Sequence, residues 1–187
     1  LHDALPIWYK QNMEMFNTKP VLNGIIDQVS ELIVCRYYPE KPIAKTKEDI
    51  YKIGIAAMEL SKTKTGALIV IERDIHLKEI ISTGVAINSE VSPQLLVNIF
   101  APNTPLHDGA VIISENKISA AACMLPLASD GDIAKELGTR HRAAIGMSKE
   151  SDAIVVVVSE ETGKISIAKE GTLIADLKEE ALKKILI

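Results

Sequence analysis

The sequence predicts an α/β domain built around a mixed central β-sheet flanked by helices, preceded by a small N-terminal helical segment. Three observations point there. Apolar residues recur at helical spacing in the first third of the chain, whereas from Gly66 onward short β-branched runs alternate with turn residues. Aromatic residues are only 4% of the chain against 47% hydrophobic residues overall, so the core has to be built from Ile, Val, Leu and Ala. Finally, some strands follow each other through short turns and others across intervening helices, a mixture that gives a mixed sheet.

Taken in order, Trp8, Tyr9, Met13 and Phe16 share the spacing of one face of a short helix, although Pro6 interrupts its start. Leu22, Ile25, Ile26, Val29, Leu32 and Ile33 define an amphipathic helix that must bury one face. Pro39 and Pro42 end it, placing a subdomain boundary there: residues 1–42 form the helical segment and 43–187 the main domain. A second helix is expected from about Lys47 to Leu60. Ala67 to Ile71 reads as a buried strand followed by a charged turn, Glu72-Arg73-Asp74. Pro93 to Phe100 reads as a helix capped by Ser92. Ala110 to Ile113 and Ile118 to Met124 form a hairpin across Glu115-Asn116-Lys117. The unbroken aliphatic run Ala153 to Val158 is a central strand covered on both faces, with Lys164 to Ala168 as its antiparallel neighbour. Leu173, Leu177, Ala181, Leu182 and Ile185 place a closing helix at the end.

The 187 residues suit one sizeable core. A net charge of −4 argues against a nucleic-acid polymer as partner. The basic residues clustered between Lys41 and Lys64 lack interleaved aromatics and read as a solvated linker and helix face. Cys35 and Cys123 have neither a CxxC partner nor metal-ligand spacing, so both read as buried reduced thiols. No apolar run is long enough to cross a bilayer and no secretory pattern opens the chain, so a cytoplasmic protein without a membrane partner is expected.

Three segments carry chemistry. In Asn103-Thr104-Pro105-Leu106-His107-Asp108-Gly109-Ala110, a polar loop runs into a buried strand. Asp108 there can accept a proton, orient a hydroxyl or hold a metal, and Gly109 and Ala110 let a ligand approach the backbone. The same residues also suit an ordinary turn in which Asp108 caps local amides. In Gly138-Thr139-Arg140-His141-Arg142-Ala143-Ala144, Thr139 reads as an N-cap and three basic side chains fall in the first helical turn. Cations cost about 0.3–1 kcal/mol each at that end of the helix dipole, and a bound anion would offset the conflict. Pairing with acids such as Glu136 is the plainer alternative. The third, Ser159-Glu160-Glu161-Thr162-Gly163, follows the central strand, where open α/β sheets commonly bind ligands. It also suits an ordinary hairpin turn. No P-loop, GxGxxG, GxSxG or HExxH pattern competes. The residues alone therefore lead to an anion site, phosphate above all, with a carboxylate nearby.

Asp108-Gly109-Ala110 and Arg140-His141-Arg142, with Ser159 to Gly163 following in order, resemble the signature motifs of the diadenylate cyclase domain family. The similarity runs from about Asp49 to the C-terminus. It implies a twisted mixed sheet and an enzyme that condenses two ATP into cyclic di-AMP and two pyrophosphates across a face-to-face homodimer. By resemblance, Asp108 is the essential acid beside the attacking hydroxyl, and His107 a contact to a magnesium or manganese ion bridging the phosphates. Thr139, Arg140 and Arg142 bind phosphate, and His141 lies in the motif. Gly109 and Ala110 line the ATP site. Ser159 and Glu161 match its phosphate and metal end, and the Leu125 backbone meets adenine. Met124 departs from the Tyr often found there. The early amphipathic helix resembles the soluble, short branch, in which such helices restrain catalytic dimers and build larger assemblies. A catalytically silent nucleotide sensor on the same fold, or a transferase or phosphohydrolase with another acceptor, is the rival reading.

Overall fold

The computed structural model describes residues 43–128 and 138–177. The N-terminal helix, Cys35, Glu136 and the closing helix beyond Leu177 lie outside the described residues.

The first described helix, α1 (Ile43–Lys62), starts four residues before the position its periodicity suggests, directly after Pro42. It turns Ile53, Ala56, Ala57 and Leu60 to the core, at the i, i+3, i+4, i+7 spacing of one face. Lys64 closes the helix with φ 52°, and the amide of Thr65 returns to the Leu60 carbonyl. Then follow β1 (Ala67–Ile71), a one-turn α2 (Lys78–Ser82), β2 (Val85–Glu90), α3 (Pro93–Ile99), β3 (Ala110–Ser114), β4 (Lys117–Cys123), α4 (Thr139–Glu150), β5 (Ile154–Val158), β6 (Ile165–Lys169) and β7 (Thr172–Ile174).

The seven strands among the described residues join one sheet in the order β2-β4-β3-β1-β5-β6-β7. Only β1 and β3 run parallel, with Ile69 opposite Val111, and every other pairing is antiparallel. The sheet is mixed, as the sequence implied. On one face, α1 and α3 cover Ala67, Ile69, Val111, Ile113, Val156 and Val158. On the other, α4 sets Ala143, Ala144 and Met147 over Leu68, Val70, Ala110, Ile112, Val155 and Val157. Each fully buried Ile or Val contributes about 1.5–3 kcal/mol, which is why aliphatic strands suffice with so few aromatics. Ser92 caps α3 as expected, its hydroxyl accepting from the Leu95 amide at 3.4 Å.

The β3–β4 hairpin turns at Glu115 and Asn116, with φ of 50° and 60°, the primed turn that matches strand twist. The same device overturns one expectation. Glu170 and Gly171 also have positive φ, 50° and 74°, and fold Leu173 back as part of β7 rather than into a helix. The spacing of Leu173 and Leu177 coincided with a helical period. Elements α2 and β2 left little sequence signal, because α2 is one turn and the edge strand β2 is largely exposed.

Glu72 fixes the far end of the sheet. Burial raises its pKa, but hydrogen bonds from the Leu77 amide (2.8 Å), the Ser114 hydroxyl (2.7 Å) and His76 (3.3 Å) outweigh that and hold it below the usual range.

Candidate active site

Register brings the three chemical segments to the opposite end. Ala67 pairs with Val158 and Ala110 with Cys123. Gly66, Gly109, Met124 and Ser159 therefore all leave the sheet on one side. Because β1 separates β3 from β5, Asp108 and Ser159 stand two strand spacings apart, about 10 Å.

A cleft of about 200 Å³ opens there between the start of α4 and the β5–β6 turn, lined among others by Thr139, Arg140, His141, Ser159 and Glu161. The helix is capped by Gly138, without a side-chain cap bond, rather than by Thr139, which is its first helical residue. The amides of His141 and Arg142 both return to the Gly138 carbonyl, and this leaves the Thr139 hydroxyl to the cleft. No acidic residue occupies the first turn.

The counter-charge comes instead from the β5–β6 turn. Arg140 Nη1 donates to Glu160 Oε2 at 2.6 Å, with the guanidinium lying against Gly66. Glu160 is 62% exposed, so the pair contributes at most about 1 kcal/mol. The turn itself is tight: the Gly163 amide donates to the Ser159 carbonyl at 2.9 Å and the Ser61 hydroxyl to the Gly163 carbonyl at 2.6 Å. The hairpin and ligand-site readings of Ser159 to Gly163 thus describe the same residues.

Burial lowers the His141 pKa, and the Glu161 carboxylate opposes this in part. At neutral pH the imidazole is uncharged. A histidine whose folded pKa is depressed costs the fold when it must be protonated. Stability should therefore be full above about 6.5 and fall as the pH drops from there towards the lowered value. His141→Gln should flatten that part of a pH–melting curve, and an unchanged curve would show that His141 is not the group responsible.

Arg142 stays outside the cleft. Its carbonyl accepts from the Ala128 amide at 3.1 Å and its Nη2 reaches the Ala128 carbonyl at 3.5 Å. Gly146, one helical turn on, leaves no room for a Cβ against the Pro126 carbonyl. Together they clamp residues 126–128 onto α4, and so place Leu125, which packs against the α4-side core. Met124 is 75% exposed, its amide donating to the Thr83 hydroxyl at 3.0 Å. Burial pushes the Cys123 thiol up to about 11, which keeps it protonated.

Gly109 has φ +118°, and a Cβ there would sit 2.7 Å from the Ala122 carbonyl carbon. Glycine is required on both counts. Ala110 follows it, fully buried in β3, and Asp108 is exposed beside them. His107 Nδ1 lies 2.6 Å from the Thr104 carbonyl, an acceptor only, so Nδ1 carries the proton and Nε2 of the neutral ring keeps its lone pair. That suits a metal ligand. Among the described residues no three His, Cys, Asp or Glu side chains converge into a cage. Magnesium-type ions are commonly held by one or two carboxylates plus substrate phosphates, which fits these sparse donors.

Sequence reasoning therefore placed Thr139, Arg140, His141, Ser159 and Glu161 in the cleft. His107, Asp108, Gly109, Ala110, Leu125 and Arg142 lie on the same side of the sheet without lining it. It included Glu160 in the Ser159–Gly163 segment but not as the partner of Arg140, and it missed Gly146, Lys164 and Ser166.

A basic helix start facing a cleft at the end of a mixed sheet is the arrangement of an anion-binding α/β domain. Residues 54–173 match the family described as DisA bacterial checkpoint controller nucleotide-binding, the DAC family. The chain belongs to this family. It is 53% identical over 147 residues to cyclic di-AMP synthase CdaA of Bacillus subtilis, covering 79% of this chain and 53% of that protein. It is 40% identical over 191 residues to diadenylate cyclase CdaS of Bacillus thuringiensis, covering 92% of this chain and 95% of that one. A crystal structure of a double mutant of DacA from Staphylococcus aureus superposes with TM-score 0.73 at 47% identity, over 74% of this chain and 93% of that one. The chain spans about half the length of the Bacillus subtilis relative and of the similar Listeria monocytogenes cyclases. Among the described residues, no helix is long and apolar enough to cross a membrane.

Proposed function

We propose that the chain is a cytoplasmic diadenylate cyclase that joins two ATP into cyclic di-AMP with release of two pyrophosphates. The observation that carries this reading is the convergence of Asp108-Gly109, the Thr139–Arg142 helix start and the Ser159–Gly163 turn on one end of the sheet. The named cyclases and synthases among its relatives support it.

The spacing suggests a division of labour. The Leu125 backbone holds adenine next to β4, which leaves the ribose near Asp108 and the phosphates in the cleft about 10 Å away, beyond β1. A nucleotide stretched in this way presents its 3′-hydroxyl and its α-phosphate at separate places. Each hydroxyl then attacks a second nucleotide rather than its own. Two such sites related by a two-fold axis close the ring, so a homodimer is the smallest active unit and larger assemblies are built from it. Asp108 orients the attacking hydroxyl and takes its proton as the new P–O bond forms. Pyrophosphate leaves with the electron pair of the broken bond.

Thr139, Arg140, Ser159 and the α4 amides stabilise the charge that develops on the phosphoryl oxygens. To meet phosphate, Arg140 shares or exchanges its contact with Glu160. Neutral His141 adds no charge but fills the wall beside Glu161, and Arg142 acts indirectly through residues 126–128. Glu161, with His107 Nε2 from the facing protomer, would hold a magnesium or manganese ion. When bound, that ion neutralises phosphate charge.

The test is incubation with ATP and manganese followed by mass analysis. Cyclic di-AMP with two pyrophosphates per ring is expected. ATP bound but unconverted by a protein shown to be dimeric would favour a nucleotide sensor and overturn the cyclase reading.

A further inference from the structure

Ser61 to Gly66, the last turn of α1 and its link to β1, touches both the β5–β6 turn and Arg140. At one end the Ser61 hydroxyl donates to the Gly163 carbonyl at 2.6 Å, across 102 positions of sequence. Gly163 has φ +74°, and a Cβ there would sit 2.6 Å from the Ser61 carbonyl oxygen. The turn therefore rests on α1 backbone to backbone, an approach that glycine permits. At the other end Gly66 is buried, and a Cβ on it would lie 2.8 Å from Arg140 Cζ and 2.9 Å from Nη1. The φ of Gly66 is outside the left-handed region, so backbone freedom does not call for glycine there. Room does: the Arg140 guanidinium takes the space that a side chain would fill.

The residues between these two contacts are themselves fixed. The Lys64 amide donates to the Ser61 carbonyl at 3.1 Å and the Thr65 amide to the Leu60 carbonyl at 2.9 Å. The Thr63 and Thr65 hydroxyls lie 2.8 Å apart. Gly66 then runs directly into Ala67, which pairs with Val158 at the foot of the β5–β6 turn. One braced piece of chain thus sets both the seat of the Arg140 guanidinium and the position of the turn that carries Ser159, Glu160 and Glu161. The Arg140 side chain is 20% exposed and reaches Glu160 at 2.6 Å, so a shift in either support changes the gap between them.

We propose that Gly66 and Ser61 are positioning residues for the reaction: Gly66 seats the Arg140 guanidinium at the depth where it meets phosphate, and Ser61 holds the β5–β6 turn opposite it. Neither touches substrate. The assignment rests on the reading of Arg140 as a phosphate ligand. Gly66→Ala is then a selective perturbation. The added methyl group meets the far end of a flexible side chain rather than backbone, so the fold yields easily while the guanidinium is displaced. A misplacement of about 1 Å can cost about 10²-fold in rate. The kcat of Gly66→Ala should therefore fall by about 10–100-fold, with a melting temperature near wild type. Ser61→Ala should lower kcat by about tenfold, and Ser61→Thr, which keeps the hydroxyl, should restore it.

The experiment is a double-mutant cycle in the full chain. Wild type, Gly66→Ala, Arg140→Ala and the double variant are titrated calorimetrically with an ATP analogue whose α- and β-phosphorus atoms are joined by a methylene group. This probe cannot turn over. Gly66→Ala and Arg140→Ala should each weaken its binding by about tenfold. The double variant should bind no worse than Arg140→Ala, because no guanidinium remains to displace. Losses that add, or a Gly66→Ala variant with wild-type affinity and kcat, would overturn the seat while leaving Arg140 in the phosphate site. Wild-type affinity in Arg140→Ala would instead remove Arg140 from that site, and the seat with it. If Gly66→Ala fails to fold, the Ser61 pair decides: equal kcat in Ser61→Ala, Ser61→Thr and wild type would overturn the positioning role. A wild-type protein that shows this coupling yet makes no cyclic di-AMP would sink the cyclase reading while the seat stands.

Discussion

Asp108→Asn is expected to lower the rate of cyclic di-AMP formation by about 10²–10⁴-fold, the usual weight of a general acid–base group, with ATP affinity and melting temperature close to wild type. Three features of the structure support so selective an effect. Asp108 is exposed on the turn before β3, so neutralising it leaves the fold intact. It stands about 10 Å from the phosphate cleft across β1, so it contributes little to holding the triphosphate. And Gly109, locked at φ +118° against β4, sets where Asp108 emerges from the sheet, which Asn preserves. Asparagine can still orient a hydroxyl but cannot take its proton. Single-turnover rates alongside equilibrium ATP binding check the claim. A variant that bound ATP and turned over at the wild-type rate would remove Asp108 from proton transfer.

The second large effect is on stability, and its sign opposes local propensity. Gly146 lies inside α4, where Ala should stabilise an isolated helix by about 1 kcal/mol. In the folded domain a Cβ at this position would run into the Pro126 carbonyl and come within 2.8 Å of the Ala128 amide nitrogen. Backbone cannot swing aside as a flexible side chain can. Gly146→Ala should therefore destabilise the protein by about 1–3 kcal/mol, as overpacking does, and lower its melting temperature by several degrees. It should also weaken ATP binding if Leu125, carried by the displaced segment, meets adenine as proposed. A more stable variant with unchanged affinity would mean that residues 126–128 do not rest on α4 as described.

Much of the fold was legible because it depends on local pattern. The aliphatic run at β5 could only be a strand covered on both faces, and Ser92 followed by Pro93 marked the start of α3. The anion site was legible for an electrostatic reason: basic residues at a helix start are locally unfavourable, so their presence points to a ligand or a distant counter-charge. Where reading failed, the deciding force was not local. Leu173 kept a helical spacing with Leu177 but was claimed by cross-strand pairing with β6 after a tight turn. Thr139 had the chemistry of a cap, yet the chain placed Gly138 there.

What the sequence determined by itself was the class of domain, its aliphatic core, the glycine before β3 and the charge pattern at the start of α4. These follow from residue type, periodicity and neighbours along the chain. Tertiary structure alone decided that Arg140 faces the cleft while Arg142 braces residues 126–128, and that Glu160 supplies the counter-charge. The reason is register. Strand pairing brings to one end of the sheet residues that lie tens of positions apart, and a helix start points adjacent side chains in different directions. Neither relation is written in the spacing of a motif.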